Sequence, residues 1–133
     1  MTGAVLEKEN ELKPEKEYLE HLAAGRFMIQ RSRSTGEHVF YPRVAAPATG
    51  ATDLEWIEPS GLGTVYSTTV IRQKPPTPNY NLALVDLKEG PRMMARVVGV
   101  APEEVKIGQQ VKARVALPAD GSADLPMVVF EPV

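Results

Sequence analysis

Apolar positions recur with two different periods along this chain. Between Lys13 and Gly25 they follow a helical spacing, with Tyr18, Leu19 and Leu22 on one stripe among charged residues. Pro14 suits the first turn of such a helix, Glu15 and Glu17 favour its positive N-terminal end, and Gly25 supplies a stop. The pattern predicts a short amphipathic helix over residues 14–25. It is too short to be stable without something to pack on. Beyond it the period shortens. Arg26 to Arg31 reads as a strand centred on Phe27-Met28-Ile29, and His38-Val39-Phe40-Tyr41 as a second strand that Pro42 ends. Asp53 to Glu58 alternates polar and apolar residues as a third. Residues 26–60 are therefore expected to form a small three-stranded unit, thin in core material.

From Gly61 onward the chain reads as a β barrel. Gly63 to Ile71 is a long β-branched strand, and Pro75-Pro76-Thr77-Pro78-Asn79 makes a stiff loop. Tyr80 to Leu87, Arg92 to Val100, Gln110 to Leu117 and Met127 to Phe130 give four more strands. Pro102 to Val105 makes a single helical turn between the third and fourth. Five antiparallel strands with a helical turn at that place are the plan of an OB-fold over residues 61–133. The turn is shorter than the usual OB helix, which leaves the N-terminal helix as a candidate for closing the barrel's end. Residues 1–13, rich in glutamate and lysine, are expected to form a flexible arm.

Composition narrows the function classes. At 133 residues and 43% hydrophobic content, the chain fits one domain or one small domain with an appendage. Twelve prolines and ten glycines favour short elements and many turns. A formal net charge of −2 argues against a nucleic-acid partner, which calls for a net basic surface. The absence of cysteine excludes disulfides and thiolate metal sites, and two histidines, His21 and His38, are too few for a histidine cluster. Both are read as surface or packing residues rather than catalytic ones. Glu103 and Glu104 suit the start of the helical turn. No apolar run approaches the roughly 18 residues that span a bilayer, and the N-terminus is unlike a signal peptide, so a soluble cytoplasmic protein is expected.

Two turns in the small unit have the outline of zinc knuckles. A knuckle places two thiolates three residues apart, commonly with a glycine after the second. Here Gly36 and Gly50 stand at the glycine places, but Ser32, Thr35, Ala46 and Thr49 stand where ligands would be. Alcohols are poor zinc ligands near neutral pH and alanine offers no donor. The sequence therefore predicts a chain without stoichiometric zinc.

The order helix, ribbon, barrel resembles the acyl-CoA-associated OB-fold family, also called domain of unknown function thirty-five, whose members carry a rubredoxin-like zinc ribbon. The resemblance rests on Gly25-Arg26, on Val39-Phe40-Tyr41-Pro42-Arg43, on Thr52 to Trp56, and on Gly63-Thr64-Val65-Tyr66-Ser67. Gly99-Val100, Glu103-Glu104-Val105 and Ile107 to Val111 follow in order. It covers residues 14–133. It implies a mainly β fold: an N-terminal helix, a degenerate zinc-ribbon-like unit and a C-terminal five-stranded OB barrel. The family's four metal ligands map to Ser32, Thr35, Ala46 and Thr49, none of them preserved. The resemblance also implies a non-catalytic accessory subunit of a thiolase-like enzyme, helping it to bind or handle acyl-CoA in lipid, sterol, aromatic or polyketide-type metabolism.

Candidate surfaces follow. Arg72 and Lys74 flank the proline-rich loop, Arg92 and Arg96 lie on the third barrel strand, and Tyr80 sits beside the loop. They are candidates for the phosphates and adenine of an acyl-CoA, against the plainer reading of solvated strand-edge charges and a tyrosine covering the barrel edge. Phe40, Tyr41 and Trp56, with Arg43, are candidates for a partner interface, against the plainer reading of ribbon core. The competing function is a single-stranded nucleic-acid binder of OB type, which requires a basic groove with stacking aromatics. A free-standing acyl-CoA enzyme lacks a nucleophile in this sequence.

Overall fold

The computed structural model describes residues 13–118 and 125–133. Residues 1–12 of the expected arm, and most of the loop between Pro118 and Leu125, lie outside these. The chain forms two compact units that divide between Glu58 and Pro59.

In the first unit, helix α1 spans Pro14–Ala23. Its C-terminus closes as the sequence suggests, with Gly25 at φ +83°. Gly25 N–H donates to Leu22 O at 2.9 Å and Arg26 N–H to His21 O at 2.8 Å, the paired bonds that satisfy the last carbonyls of a helix. Tyr18 and Leu22 form its buried face. Three strands follow: β1 (Ile29–Ser32), β2 (His38–Val39) and β3 (Leu54–Ile57), in the order β2-β1-β3. Both pairings are antiparallel, with Gln30 opposite Val39 and opposite Trp56.

Two strand assignments need correction. The first strand begins at Ile29, not Arg26. Arg26 is occupied in closing the helix, and Phe27 is buried with its ring 6.5 Å from that of Phe40. The second strand ends at Val39. Phe40 and Tyr41 leave the sheet and set their rings against Tyr18, each 5.6 Å away and edge-on. Within this unit the helix meets the ribbon's aromatic rings through Tyr18.

The second unit is a closed barrel of β4 (Leu62–Ile71), β5 (Tyr80–Leu87), β6 (Arg92–Val97), β7 (Gln110–Ala116) and β8 (Met127–Pro132), in the order β4-β5-β6-β8-β7. A 3₁₀ turn at Pro102–Glu104 separates β6 from β7. The expectation of five antiparallel strands fails at one seam: β6 and β8 run parallel, with Arg96 opposite Val129 and Val97 opposite Phe130. Placing the last strand between the third and fourth lets an odd number of strands close. Alternate residues of β5 and β6 point inward, and Val65, Val85, Val111 and Phe130 are fully enclosed. Gly63 is required by space. A Cβ there would lie 2.6 Å from Val85 Cγ1 and 3.0 Å from the Asp86 carbonyl. A bulge between Val65 and Ser67 turns β4 about this point.

Candidate functional site

The two knuckle-like turns repeat one hydrogen-bond pattern. In the first, Ser32 N–H donates to Glu37 O at 2.8 Å and Gly36 N–H to Ser32 O at 2.9 Å. In the second, Ala46 N–H donates to Ala51 O at 2.8 Å and Gly50 N–H to Ala46 O at 2.7 Å. Gly36 and Gly50 lie at φ +76° and +73° with open space around them, so the demand for glycine is conformational. The leading residue of each turn, Ser32 or Ala46, is buried, and the residue three later, Thr35 or Thr49, is exposed. Each threonine hydroxyl accepts the amide two residues on, Glu37 at 3.2 Å and Ala51 at 3.4 Å.

Two carboxylates complete the turns. Ser32 donates its hydroxyl to Asp53 Oδ1 at 2.7 Å, and Ser34 N–H donates to Asp53 Oδ2 at 2.8 Å. These bonds, that of Ser32 foremost, hold the Asp53 carboxyl below the usual carboxylate range. Ser32 Oγ in turn accepts Thr35 N–H at 3.2 Å. Across the ribbon, Glu37 accepts the Thr49 hydroxyl at 3.1 Å and Ala48 N–H at 3.3 Å. The zinc that a ribbon implies does not fit these residues. Ser32 is held by a carboxylate, both threonine oxygens face their own backbone, and Ala46 has no donor. Among the described residues no three His, Cys, Asp or Glu side chains come together as a metal set.

The candidate interface residues separate into two groups. Phe40 and Tyr41 are in ring contact at 5.4 Å, Phe40 half-buried and Tyr41 exposed. Trp56 instead sets its ring 5.3 Å from that of His21, donates its indole N–H to Glu17 Oε2 at 2.5 Å, and lines a small hollow with Arg43 and Val44. Burial pushes the Tyr18 hydroxyl well above its ordinary range, which keeps it neutral at the centre of the aromatic group. Arg43 is exposed, and its backbone is held by a side chain that sequence reasoning missed. Gln30 donates to Arg43 O at 2.8 Å and accepts Arg43 N–H at 2.6 Å, imitating a strand pairing. This fixes the Pro42–Val44 segment opposite the outer face of α1. Between them lies an open, largely apolar cleft of about 760 Å³, floored by Leu19, Ala23, Pro42 and Val44 and edged by Lys16 and Arg43. Leu19 and Val44 are 50% and 46% exposed and lie together in this cleft.

On the barrel, the candidate cations differ in availability. Arg92 bonds Asp86 Oδ1 at 2.6 Å and lies 3.5 Å over the Tyr66 ring. Arg96 lies 4.1 Å over the Tyr80 ring. The register explains the first pair, since Asp86 stands directly opposite Arg92. Tyr66 escaped the sequence reading because the β4 bulge brings it into place. Arg72 and Lys74 are exposed and form no ion pair among the described residues. The loop between them and Tyr80 is closed by Gln73 N–H donating to Asn79 Oδ1 at 2.7 Å.

Residues 56–116 match the family described as ChsH2, C-terminal OB-fold domain. A DUF35 domain-containing scaffold protein of Pyrococcus furiosus is 33% identical over 71% of this chain and 73% of its own length. A probable enoyl-CoA hydratase alpha subunit of Thermomonospora curvata is 35% identical over 80% of this chain, which spans only 34% of that protein. Among solved structures, the Ltp2-ChsH2(DUF35) aldolase superposes with a TM-score of 0.76 at 30% identity, covering 90% of this chain and 94% of that one. A DUF35 protein of unknown function from Sulfolobus solfataricus gives 0.60 at 14% identity, covering 96% and 98%, which supports the fold alone. By its sequence relatives and its fold, this chain belongs to the DUF35 family of OB-fold proteins.

Proposed function

We propose that the chain is a non-catalytic accessory subunit that docks on a thiolase-like enzyme and assists its handling of acyl-CoA. The observation that carries this reading is the apolar cleft beside α1. Leu19 and Val44 are displayed there on a backbone fixed by Gln30 and by the helix cap, so the face is pre-organised and needs no rearrangement to be covered. Arg43 borders it, whereas Phe40 and Trp56 hold helix and ribbon together through Tyr18, His21 and Glu17. The relative structure named as an aldolase contains a DUF35 component, and a second relative is named as a hydratase subunit. Both names support a place in a multi-chain enzyme, and the second supports CoA thioester chemistry.

Arg72 and Lys74 supply the cations for a coenzyme A phosphate in this reading. Arg92 and Arg96 contribute less, because each is engaged with a neighbouring ring. The same stacking weakens the nucleic-acid alternative, since Tyr66 and Tyr80 each have a face covered by arginine and are less open to bases. No helix among the described residues is long and apolar enough to cross a membrane.

Co-purification from the native cell tests the proposal. A thiolase-like enzyme is expected to travel with the wild-type chain. Acyl-CoA turnover is expected of the complex and not of the chain alone. Turnover by the isolated chain that persists through further purification, or recovery of the chain with single-stranded nucleic acid and no enzyme, overturns it.

A further inference from the structure

We propose that the ribbon is a metal-independent module in which Glu37 and Asp53 take over the cross-linking that a zinc ion performs in a ribbon of this outline. A tetrahedral ion joins two knuckles by binding a pair of ligands from each. Glu37 makes the same join from inside the chain. Its backbone closes the first turn, through Ser32 N–H to Glu37 O at 2.8 Å and Glu37 N–H to Thr35 Oγ1 at 3.2 Å. Its carboxylate reaches the second turn, at Ala48 N–H and the Thr49 hydroxyl. One residue therefore has bonds in both knuckles.

Asp53 makes the second join, from the residue just before β3 to the first turn. Its two oxygens take the Ser32 hydroxyl and the Ser34 amide, and its carbonyl accepts Arg33 N–H at 3.2 Å. Ser32 is wholly buried at the first ligand position and relays the link along the turn by accepting the Thr35 amide. Ala46, at the matching position of the second turn, is equally buried and fills that space with a methyl group. The four former ligand positions thus divide into one relay, one filler and two threonines that bond their own turns. Carboxylate acceptors on amide and hydroxyl donors are the stronger class of hydrogen bond, which suits them to this task.

The test reads the ribbon directly, with the full chain. Elemental analysis is expected to find far less than one zinc per chain, and a chelator to leave the melting temperature unchanged. In hydrogen exchange, Glu37→Gln is expected to speed exchange at Ala48, and Asp53→Ala at Ser34 and Thr35, by about tenfold or more. Barrel amides such as Val85 are expected to keep their wild-type rates. Glu37→Ala serves as the stronger variant if glutamine retains one of the bonds. About one zinc per chain, destabilisation by the chelator, or unchanged exchange at these amides in all three variants overturns the proposal.

Discussion

Leu19 and Leu22 lie three residues apart on α1 and separate docking from folding. Leu22 is 3% exposed, so Leu22→Ala removes an almost wholly enclosed side chain and is expected to cost about 2–5 kcal/mol of the first unit's stability. Leu19 is 50% exposed, so about half of its transfer free energy is still to be gained from a partner. Complete burial of a leucine is worth about 1.5–3 kcal/mol, which leaves about 0.8–1.5 kcal/mol for the interface. Leu19→Ala is therefore expected to weaken association about four- to twelvefold while changing stability by at most about 0.5 kcal/mol. The partner's dissociation constant, measured by calorimetry beside a thermal melt of each variant, separates the two effects. Leu19→Ala binding as tightly as wild type, with an unaltered melt, would refute the placement of the docking face in this cleft. A Leu19→Ala variant that melts like Leu22→Ala would refute the division of the helix into inner and outer faces.

Three further outcomes are expected. Gly63→Ala should cost about 1–3 kcal/mol in denaturant unfolding, because its Cβ meets Val85 Cγ1 at 2.6 Å and the Asp86 carbonyl cannot withdraw without breaking the β4–β5 ladder; wild-type stability would show that the barrel relaxes there. Arg72→Ala should raise the KM of the complex for acyl-CoA without altering partner affinity, and Arg92→Ala should have the smaller effect; the reverse order in steady-state kinetics would place the ligand on the β6 face. The first knuckle should loosen in acid. The Asp53 carboxyl has a lowered folded pKa, so its contribution is present above the unfolded value of about 3.9 and is lost as pH falls through the folded one. The neighbouring Arg33–Glu55 pair at 3.0 Å shares this surface. Fluorescence of the sole tryptophan, Trp56 on β3, should report the transition, and an identical acid profile in Asp53→Asn would exclude Asp53 as its cause.

How legible these features were in sequence depended on whether local pattern or distant partners decided them. β5 has the bounds expected, Tyr80–Leu87, because inward and outward residues alternate along its whole length. Helix α1 was legible from Pro14, its acidic first turn and Gly25. Phe27 and Met28 misled because hydrophobicity alone does not distinguish a strand from residues covering a helix end. The parallel β6–β8 seam was not legible, since neither strand carries a mark of its neighbour's direction. Glu37, Asp53 and Gln30 were ordinary polar residues in sequence. Their roles depend on distances set by other elements, as when Gln30 meets the backbone of Arg43 thirteen positions away. The cations were visible by residue type, and so was Tyr80, but not that Arg96 would cover its ring, nor that Tyr66 would lie beneath Arg92.

The placement of β8 between β6 and β7 also bears on how the chain is made. During synthesis β4 to β7 emerge first, and until Met127–Pro132 follows, β6 and β7 each carry a row of unpaired backbone donors and acceptors. Such open edges invite pairing with other chains. The final strand therefore acts as a latch, and a ribosome that stalls a few codons before it would release a sticky, unclosed sheet. Truncation within β8 should appear in the cell as insolubility, even though every residue of the cleft and of both knuckles would already have been translated.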